Sequence, residues 1–416
     1  MKIAVLSDFH FGFGYNTALE EDSFDNADEA MEAALGADLI IIPGDIFDSK
    51  FPKTPVWAKA IKLLVKPMIA ESSGVRFVSC TKNLKKVSKR TLENIPVIAL
   101  HGNHESRGQT TNTLEALENA GLLVHLHKDT IIFEKDGTRV AIHGMSWVPD
   151  RYAKRELDDW NPKPTLDCVN ILVMHQSISP FLYSPLEKPT ITAENLPKGF
   201  DIIIDGHLHG AGQEIVNGKP IVFPGSTVTT QFSKVDADTE KGFYEIEIGS
   251  DTNDIKISFQ PITTNRKFFF EDVHTSGNLR QNIETKIEEL LVKPMVKKPL
   301  MKLKIIGKEN EYLEQEIRDI ERKYSDYAML RFVKELESPE IAEKIEFLRN
   351  MREQKMSAEE IGLHLLHKNL TELKFGSSFH VEDVFSLLVE GRVDHVFDIL
   401  TGEQQLLKNV GENVGV

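Results

Sequence analysis

Five short stretches hold most of the side chains that could do chemistry. They are Asp8-Phe9-His10, Gly44-Asp45, Gly102-Asn103-His104-Glu105, His175 and Gly206-His207-Leu208-His209. The set mixes imidazoles with two aspartates and an amide and contains no thiolate. Such nitrogen and oxygen donors suit manganese, iron or zinc in a catalytic centre better than a structural zinc site built on cysteine. Asp8, His10, Asp45, Asn103, His175, His207 and His209 are more candidate ligands than one ion needs, so two divalent ions are implied. Asp45 stands alone on its turn, where a carboxylate can bridge. Gly44, Gly102 and Gly206 allow backbone to approach the ions without a Cβ. Any one of these stretches is weak, since an Asp-x-His pair or a Gly-Asp turn is common. Their joint occurrence, each after an apolar run, carries the reading.

Those runs are the elements that must position the donors. Ile3–Leu6, Leu39–Ile42, Val97–Leu100, Val140–Ile142, Ile171–Met174, Ile202–Ile204 and Ile221–Phe223 are rich in β-branched residues. Gly, Pro or Asp bounds each of them, which predicts buried strands. Helices are expected over Asp28–Leu35, Val56–Ala70 and Thr111–Asn119. Alternating strands and helices predict an α/β domain whose strand-end loops converge at one edge, where ligands bind. Gly242–Ile248 and Ile255–Phe259 lie close together and predict an antiparallel pair.

A polar link at Ile262–Asn265 marks a boundary. Beyond it the pattern reads strand (Lys267–Val273), helix (Leu279–Leu291), strand (Met301–Ile306), helix (Tyr312–Tyr324), strand (Ala328–Val333). This is a small α+β module. The expected division is 1–262, 263–335 and a helical region 336–416. That last region has a capping-box pattern at Ser357-Ala358-Glu359-Glu360. It also has a helical hairpin about Gly391, with Ile361, Leu365, Val384, Leu388, Val396, Phe397 and Leu400 at helical spacing. This hairpin either packs on its own domain or lies on a partner helix.

Bulk properties narrow the class. The 416 residues carry 49 Lys and Arg against 64 Asp and Glu, a net charge of −15. That balance excludes an all-over nucleic-acid coat but not a nucleic-acid enzyme, whose ions and local basic patches can meet phosphate. The chain has no apolar run long enough to span a membrane and no signal-peptide pattern at its start. Cys80 and Cys168 make no disulfide framework, and a reducing compartment, by default the cytoplasm, is expected.

The full motif set resembles the calcineurin-like metallophosphoesterase superfamily, over roughly the first 260 residues. The expected fold is a layered β-sandwich flanked by helices, with a small α+β cap and C-terminal helices. The resemblance implies two ion shells. Asp8, His10, Asp45 and His209 would form one, and Asp45, Asn103, His175 and His207 the other. His104 is the candidate catalytic group, protonating the leaving oxygen or steadying transition-state charge, with Glu105 expected to orient it. Superfamily protein phosphatases carry Gly-Asp-x-x-Asp-Arg-Gly. Here Ser49 holds the arginine place in Gly44-Asp45-Ile46-Phe47-Asp48-Ser49, which speaks against that branch.

Domain order, Gly44-Asp45-Ile46-Phe47-Asp48 and Phe223-Pro224-Gly225-Ser226-Thr227 resemble the meiotic-recombination-eleven family and its bacterial relative SbcD. That resemblance implies an archaeal or bacterial, manganese-dependent nuclease acting on DNA ends. It implies 3′-to-5′ exonuclease and single-strand endonuclease activity, and a homodimer, for which the helix Val56–Ala70 is the candidate surface. It also implies a partner ABC ATPase of the Rad-fifty/SbcC type with a long coiled coil. Some relatives have His at the place of Asp48. Two basic runs could track phosphates: Lys82, Lys85, Lys86, Lys89 and Arg90, and Lys293, Lys297, Lys298, Lys302 and Lys304. Other histidines are expected to be bystanders, with His101 near the site or in the core, His143 away from it, and His125 and His127 on a surface strand. The competing readings are a small-substrate phosphodiesterase or phosphatase, and a non-catalytic scaffold.

Overall fold

The computed structural model describes residues 1–83, 87–105, 112–184, 186–231, 233–249, 254–275, 278–308 and 312–337, with short pieces between 362 and 401. Its centre is two packed sheets. The first has six strands in the order β15-β14-β1-β2-β4-β5. These are β1 (Lys2–Val5), β2 (Leu39–Ile42), β4 (Val97–Ala99), β5 (Val124–His125), β14 (Gly242–Ile248) and β15 (Ile255–Pro261). The second runs β12-β13-β11-β8-β7-β6-β3. It comprises β3 (Arg76–Cys80), β6 (Asp129–Lys135), β7 (Thr138–Met145), β8 (Val169–Met174), β11 (Ile202–Asp205), β12 (Gly212–Val216) and β13 (Lys219–Phe223). The strands expected from the sequence all form, and β14 and β15 pair antiparallel throughout their length.

Alternation of side chains builds four layers from these runs. Ile3, Val5, Leu39 and Ile41 point inward to meet Ile171, Val173, Ile202 and Ile204 of the other sheet. The intervening Ala4, Ile40 and Ile42 point outward against helices α1 (Asp22–Ala34), α2 (Thr54–Leu64) and α4 (Thr113–Asn119). On the far side Leu172, Met174 and Ile203 pack under α5 (Asp150–Trp160). Both faces of each central strand are buried, so the sequence runs are apolar throughout rather than alternating.

Two helices differ from expectation. Val56–Ala70 is not one helix: α2 ends at Leu64 and a short α3 (Lys66–Ile69) follows. Pro67 has no N–H to continue the ladder and crowds the preceding turn. Helix α1 begins at Asp22, two turns earlier than Asp28, and its first turns bury the polar Asp22, Ser23 and Asn26 beside Phe24. Buried Asp22 accepts a fork of hydrogen bonds from Arg266, at 2.6 and 2.9 Å. Asn26 donates to the Thr227 carbonyl at 2.9 Å. The link predicted near Ile262–Asn265 is tied to the same helix, where Glu29 accepts from the backbone of Thr263 and Thr264.

A third sheet, β16-β17-β18, contains β16 (Phe268–His274), β17 (Leu300–Lys308) and β18 (Met329–Glu337). Helix α7 (Leu279–Leu291) buries Leu279, Ile283, Ile287 and Leu290, one stripe at helical spacing. Helix α8 (Leu313–Tyr324) has glutamates in its first turn and Arg322 and Lys323 in its last, matching the helix dipole. Contacts divide the chain into two compact units. The larger comprises Met1–Val273, Gly277–Lys304 and Glu314–Val333. Near the C-terminus a helix covers Val393–Thr401, with Val396 buried and Phe397 exposed. The capping box, Gly391, Ile361, Leu365, Lys85, Lys86 and the start of the helix expected at Thr111 lie outside the described residues, as does the side chain of Leu400. Among the described residues no helix is long and apolar enough to cross a membrane.

Candidate metal centre

The loops after β1, β2, β4, β8 and β11 meet at one edge of the sandwich. Two of them are zipped together. Backbone N–H groups of Asp8, His10 and Phe11 donate to the carbonyls of Gly44, Asp45 and Ile46, at 3.2, 3.0 and 2.8 Å. Asp8, His10 and Asp45 all adopt left-handed backbone, with φ of 51°, 48° and 48°. Each such residue costs of order 1 kcal/mol or more, and strain of this kind collects at functional sites. Fully buried Phe9, Phe11 and Phe47 anchor the turns against the core. At Gly102 a Cβ would sit 2.0 Å from Asp45 Oδ1, so only glycine lets the two loops approach this closely.

Side chains from these loops form one cluster. Nε2 of His10 faces Nε2 of His209 at 3.0 Å, and Asp8 Oδ1 lies 3.8 Å from the first and 3.6 Å from the second. Asp45 Oδ2 lies 3.5 Å from His175 Nε2 and 4.0 Å from His104 Nε2. Asn103 Oδ1 is 3.1 Å from His175 Nε2. Three overlapping trios could each grip an ion: Asp8, His10 and His209; His10, Asp45 and His104; Asp8, Asp45 and His175. His207 lies beside them, its ring 5.5 Å from that of His175. Its Nε2 is held at 3.2 Å by both Glu187 and Ser177.

The donors fit a divalent cation. Asp8 Oδ1 is buried without a hydrogen-bond partner, while Ser7 serves its other oxygen. Burial pushes the Asp8 carboxyl well above the carboxylate range, and neighbouring Asp45 adds to the rise. Burial also opposes charge on Asp45, but His175, His10 and His104 outweigh it and hold that carboxyl below its ordinary value. Burial likewise disfavours charge on His175, yet the surrounding Asp45, Asp8 and Asp205 raise it to about 10. The carboxylates therefore hold one proton on His175, and metal binding would displace it. His175 Nδ1 donates to the Pro43 carbonyl at 2.8 Å, which leaves Nε2 aimed into the cluster. His209 and His207 are depressed, by burial first and then by the neighbouring imidazoles of His10 and His175. Both are therefore neutral, as ligands must be.

Glu105 does not orient His104. Its fully buried carboxylate accepts from the Phe47 N–H and the Gly102 N–H, each at 2.8 Å. It thus staples the Asp45 loop to the Asn103 loop. His104 is instead set by the Asp48 carbonyl, 2.9 Å from Nδ1, and the Asp48 carboxylate lies 3.3 Å from His10 Nδ1. His125 is not on a surface strand but buried on β5, its Nε2 3.0 Å from His101 Nδ1. Its backbone N–H donates to Glu118 at 2.9 Å, and the flanking Leu123, Val124 and Leu126 are fully buried. His143 is buried between Thr130 and Asn170, away from the cluster.

Three supports carried no motif. Lys241 is fully buried, pairs with Asp236, and donates to the His209 carbonyl at 3.2 Å and Ser226 Oγ at 2.9 Å. Asp205 accepts from the Gln176 N–H at 2.9 Å, tying the His175 loop to the end of β11. Its place at the end of an apolar run, just before Gly206-His207, was the available signal. Tyr183 sets its ring edge-on to His209 at 4.9 Å.

The chain is similar to the DNA double-strand break repair protein Mre11 of Methanopyrus kandleri, 27% identical over 271 residues, covering 59% of this chain and 54% of that one. The corresponding protein of Methanococcus maripaludis is 26% identical over 268 residues, covering 60% and 64%. Double-strand break repair protein mus-23 of Neurospora crassa is 25% identical over 264 residues, covering 55% and 35%. The matched segment thus spans about half the length of the first relative. The calcineurin-like phosphoesterase family matches residues 1–211, a span that takes in every candidate ligand, and the chain belongs to that family.

Proposed function

We propose that the protein is a two-metal, manganese-dependent phosphodiesterase that acts as a DNA double-strand-break repair nuclease. Its activities would be 3′-to-5′ exonuclease on duplex DNA and endonuclease on single strands. The observation that carries this reading is Asp45, a buried carboxylate with His175 at 3.5 Å, His104 at 4.0 Å and His10 in the same trio. A carboxylate so placed can serve two ions. Asp8, His10, Asp45 and His209 would hold one, and Asp45, Asn103, His175 and His207 the other. When bound, such ions polarise phosphoryl oxygens and make bound water a nucleophile near neutral pH.

His104 acts as the acid for the leaving oxygen. Its side chain is about a third exposed, at 35%, so it meets substrate, and its Nδ1 contact with the Asp48 carbonyl leaves Nε2 to deliver the proton. The Asp48 carboxylate, 3.3 Å from His10 Nδ1, adds negative charge beside this ligand. The similarity to break-repair proteins over more than half of this chain supports DNA as substrate. Residues 263–335 would position DNA and residues 336–416 would seat a coiled-coil ABC ATPase. Exposed Ile61 and Ile69 about α2 and α3 suit a homodimer surface. A cytoplasmic, nucleoid-associated setting in a prokaryote follows from the same reading.

The test incubates protein and manganese with end-labelled duplex and single-stranded DNA, beside a small phosphodiester. Asp45→Ala should lose bound manganese and cleavage together. His104→Ala should lose cleavage and keep the metal. Turnover of the small ester alone would overturn the nuclease reading in favour of a small-substrate enzyme.

A further inference from the structure

The two basic runs fare differently in the fold. Lys82 is spent on Glu118 and the His125 carbonyl. Lys297 pairs with Asp22 and Asp25, and Lys298 donates to the Ser325 carbonyl at 2.6 Å. Lys293 and Lys302 form no ion pair among the described residues. They lie over the rings of Phe269 and Phe270, at 4.9 and 5.5 Å from the centroids. Phe269 sits half-buried on β16, an edge strand of the third sheet. It lines a cleft of about 330 Å³ together with Lys234, Lys267 and Lys293. None of these lysines has an acidic partner among the described residues. Of the acids on the rim, Glu271 is matched by Lys286 at 3.6 Å, which leaves Asp238.

A chain with a net charge of −15 has acids to spare for its lysines, so lysines left without them around an aromatic face call for an anionic partner with flat apolar parts. The cleft shares one wall helix with a second cleft. The short helix α6 (Lys234–Asp238) lends Lys234 to the first. Val235 and Asp236 of the same helix line the second, of about 400 Å³, whose wall includes His209. Successive units of one polymer could occupy both. An aromatic face accepts any base by stacking, and lysines track the backbone, which is how unpaired nucleic acid is held without regard to sequence.

The geometry points to the Phe269 cleft as a second DNA subsite, where an unpaired strand stacks a base on Phe269 while Lys234, Lys267 and Lys293 meet its phosphates. This inference rests on the nuclease reading. The test measures binding of a fluorescently labelled thymidine oligonucleotide to the full chain in EDTA, so that cleavage cannot occur, with a blunt duplex as comparison. Phe269→Leu keeps apolar bulk and removes the ring face. It should weaken single-strand binding by roughly five- to a hundred-fold with little change for the duplex. Lys267→Ala combined with Lys293→Ala should lower the salt dependence by about 0.7 in log–log slope per lost phosphate contact. Thermal melting of each variant checks that the fold persists. Wild-type protein that cleaves DNA while these variants bind the oligonucleotide unchanged would overturn the subsite and leave the nuclease reading standing. Wild-type protein that neither binds nor cleaves DNA would overturn both.

Discussion

The sandwich edge and the three-stranded sheet solve opposite problems. At the sandwich edge polar groups are buried, backbone is strained, and hydrogen bonds staple the loops to one another. On β16 and α7 the buried side chains are apolar, and Lys267 and Lys293 beside them are exposed with no acidic partner among the described residues. Precision in the first region depends on loops that cannot move apart. The second region is a conventional core with an adaptable surface. The difference separates residues whose loss ends chemistry from those whose loss only loosens the fold or the grip on substrate.

Substitutions can break that contrast. The largest effect is expected at Asp45→Ala, which should cut phosphodiester turnover by at least about a thousand-fold, since it removes charge stabilisation from the reacting centre. Metal content by mass spectrometry and turnover should fall together. Lys241→Met is next. It strands the buried Asp236 carboxylate, and breaking a buried pair from one side costs about 3–5 kcal/mol, readable by urea denaturation. Because Lys241 also holds the His209 carbonyl, affinity for a divalent metal ion should drop as well. Retained affinity would show that the loop holds His209 without it. Ile283→Ala, at a fully buried position of α7, should cost about 2–5 kcal/mol and leave turnover of a small ester intact. Lost turnover would mean that the two regions are mechanically coupled.

The smallest effect is a pH dependence. Burial depresses His125 well below its ordinary value and His101 to about 3, so both are neutral in the fold. The unfolded chain takes up these protons near pH 6.5. Their contribution is therefore intact above about pH 6.5 and shrinks as pH falls toward the folded values. His125→Asn should flatten the denaturation midpoint between pH 7.5 and pH 5. An unchanged slope would assign the loss to carboxylates instead.

Much of this arrangement was legible in the residues. Ile3–Leu6 and Leu39–Ile42 could only be strands buried on both faces, and Asp8-Phe9-His10 and Gly44-Asp45 declared the centre because they follow those strands directly. What stayed hidden was polar and buried. Asp22, Asn26, His125 and Lys241 look like surface residues in any window, since burial is conferred by partners far along the chain: Arg266 lies 244 residues from Asp22. Strands β3 and β6 give a weak sequence signal for a related reason, as β3 is largely exposed at a sheet edge and lacks an apolar run. Adjacency in sequence points Glu105 at His104, whereas its short reach back to the Gly102 N–H turns it into the backbone.

The Glu105 staple has a consequence for the life of the enzyme. Its two bonds, with the zipped turns at Asp8 and Asp45, are made among protein atoms alone. The socket is therefore preset before any ion arrives, unlike small zinc modules that collapse when stripped. Ions can be exchanged or swapped for a competitor while these protein–protein bonds remain in place, so loss of metal removes chemistry before it removes the arrangement of the loops.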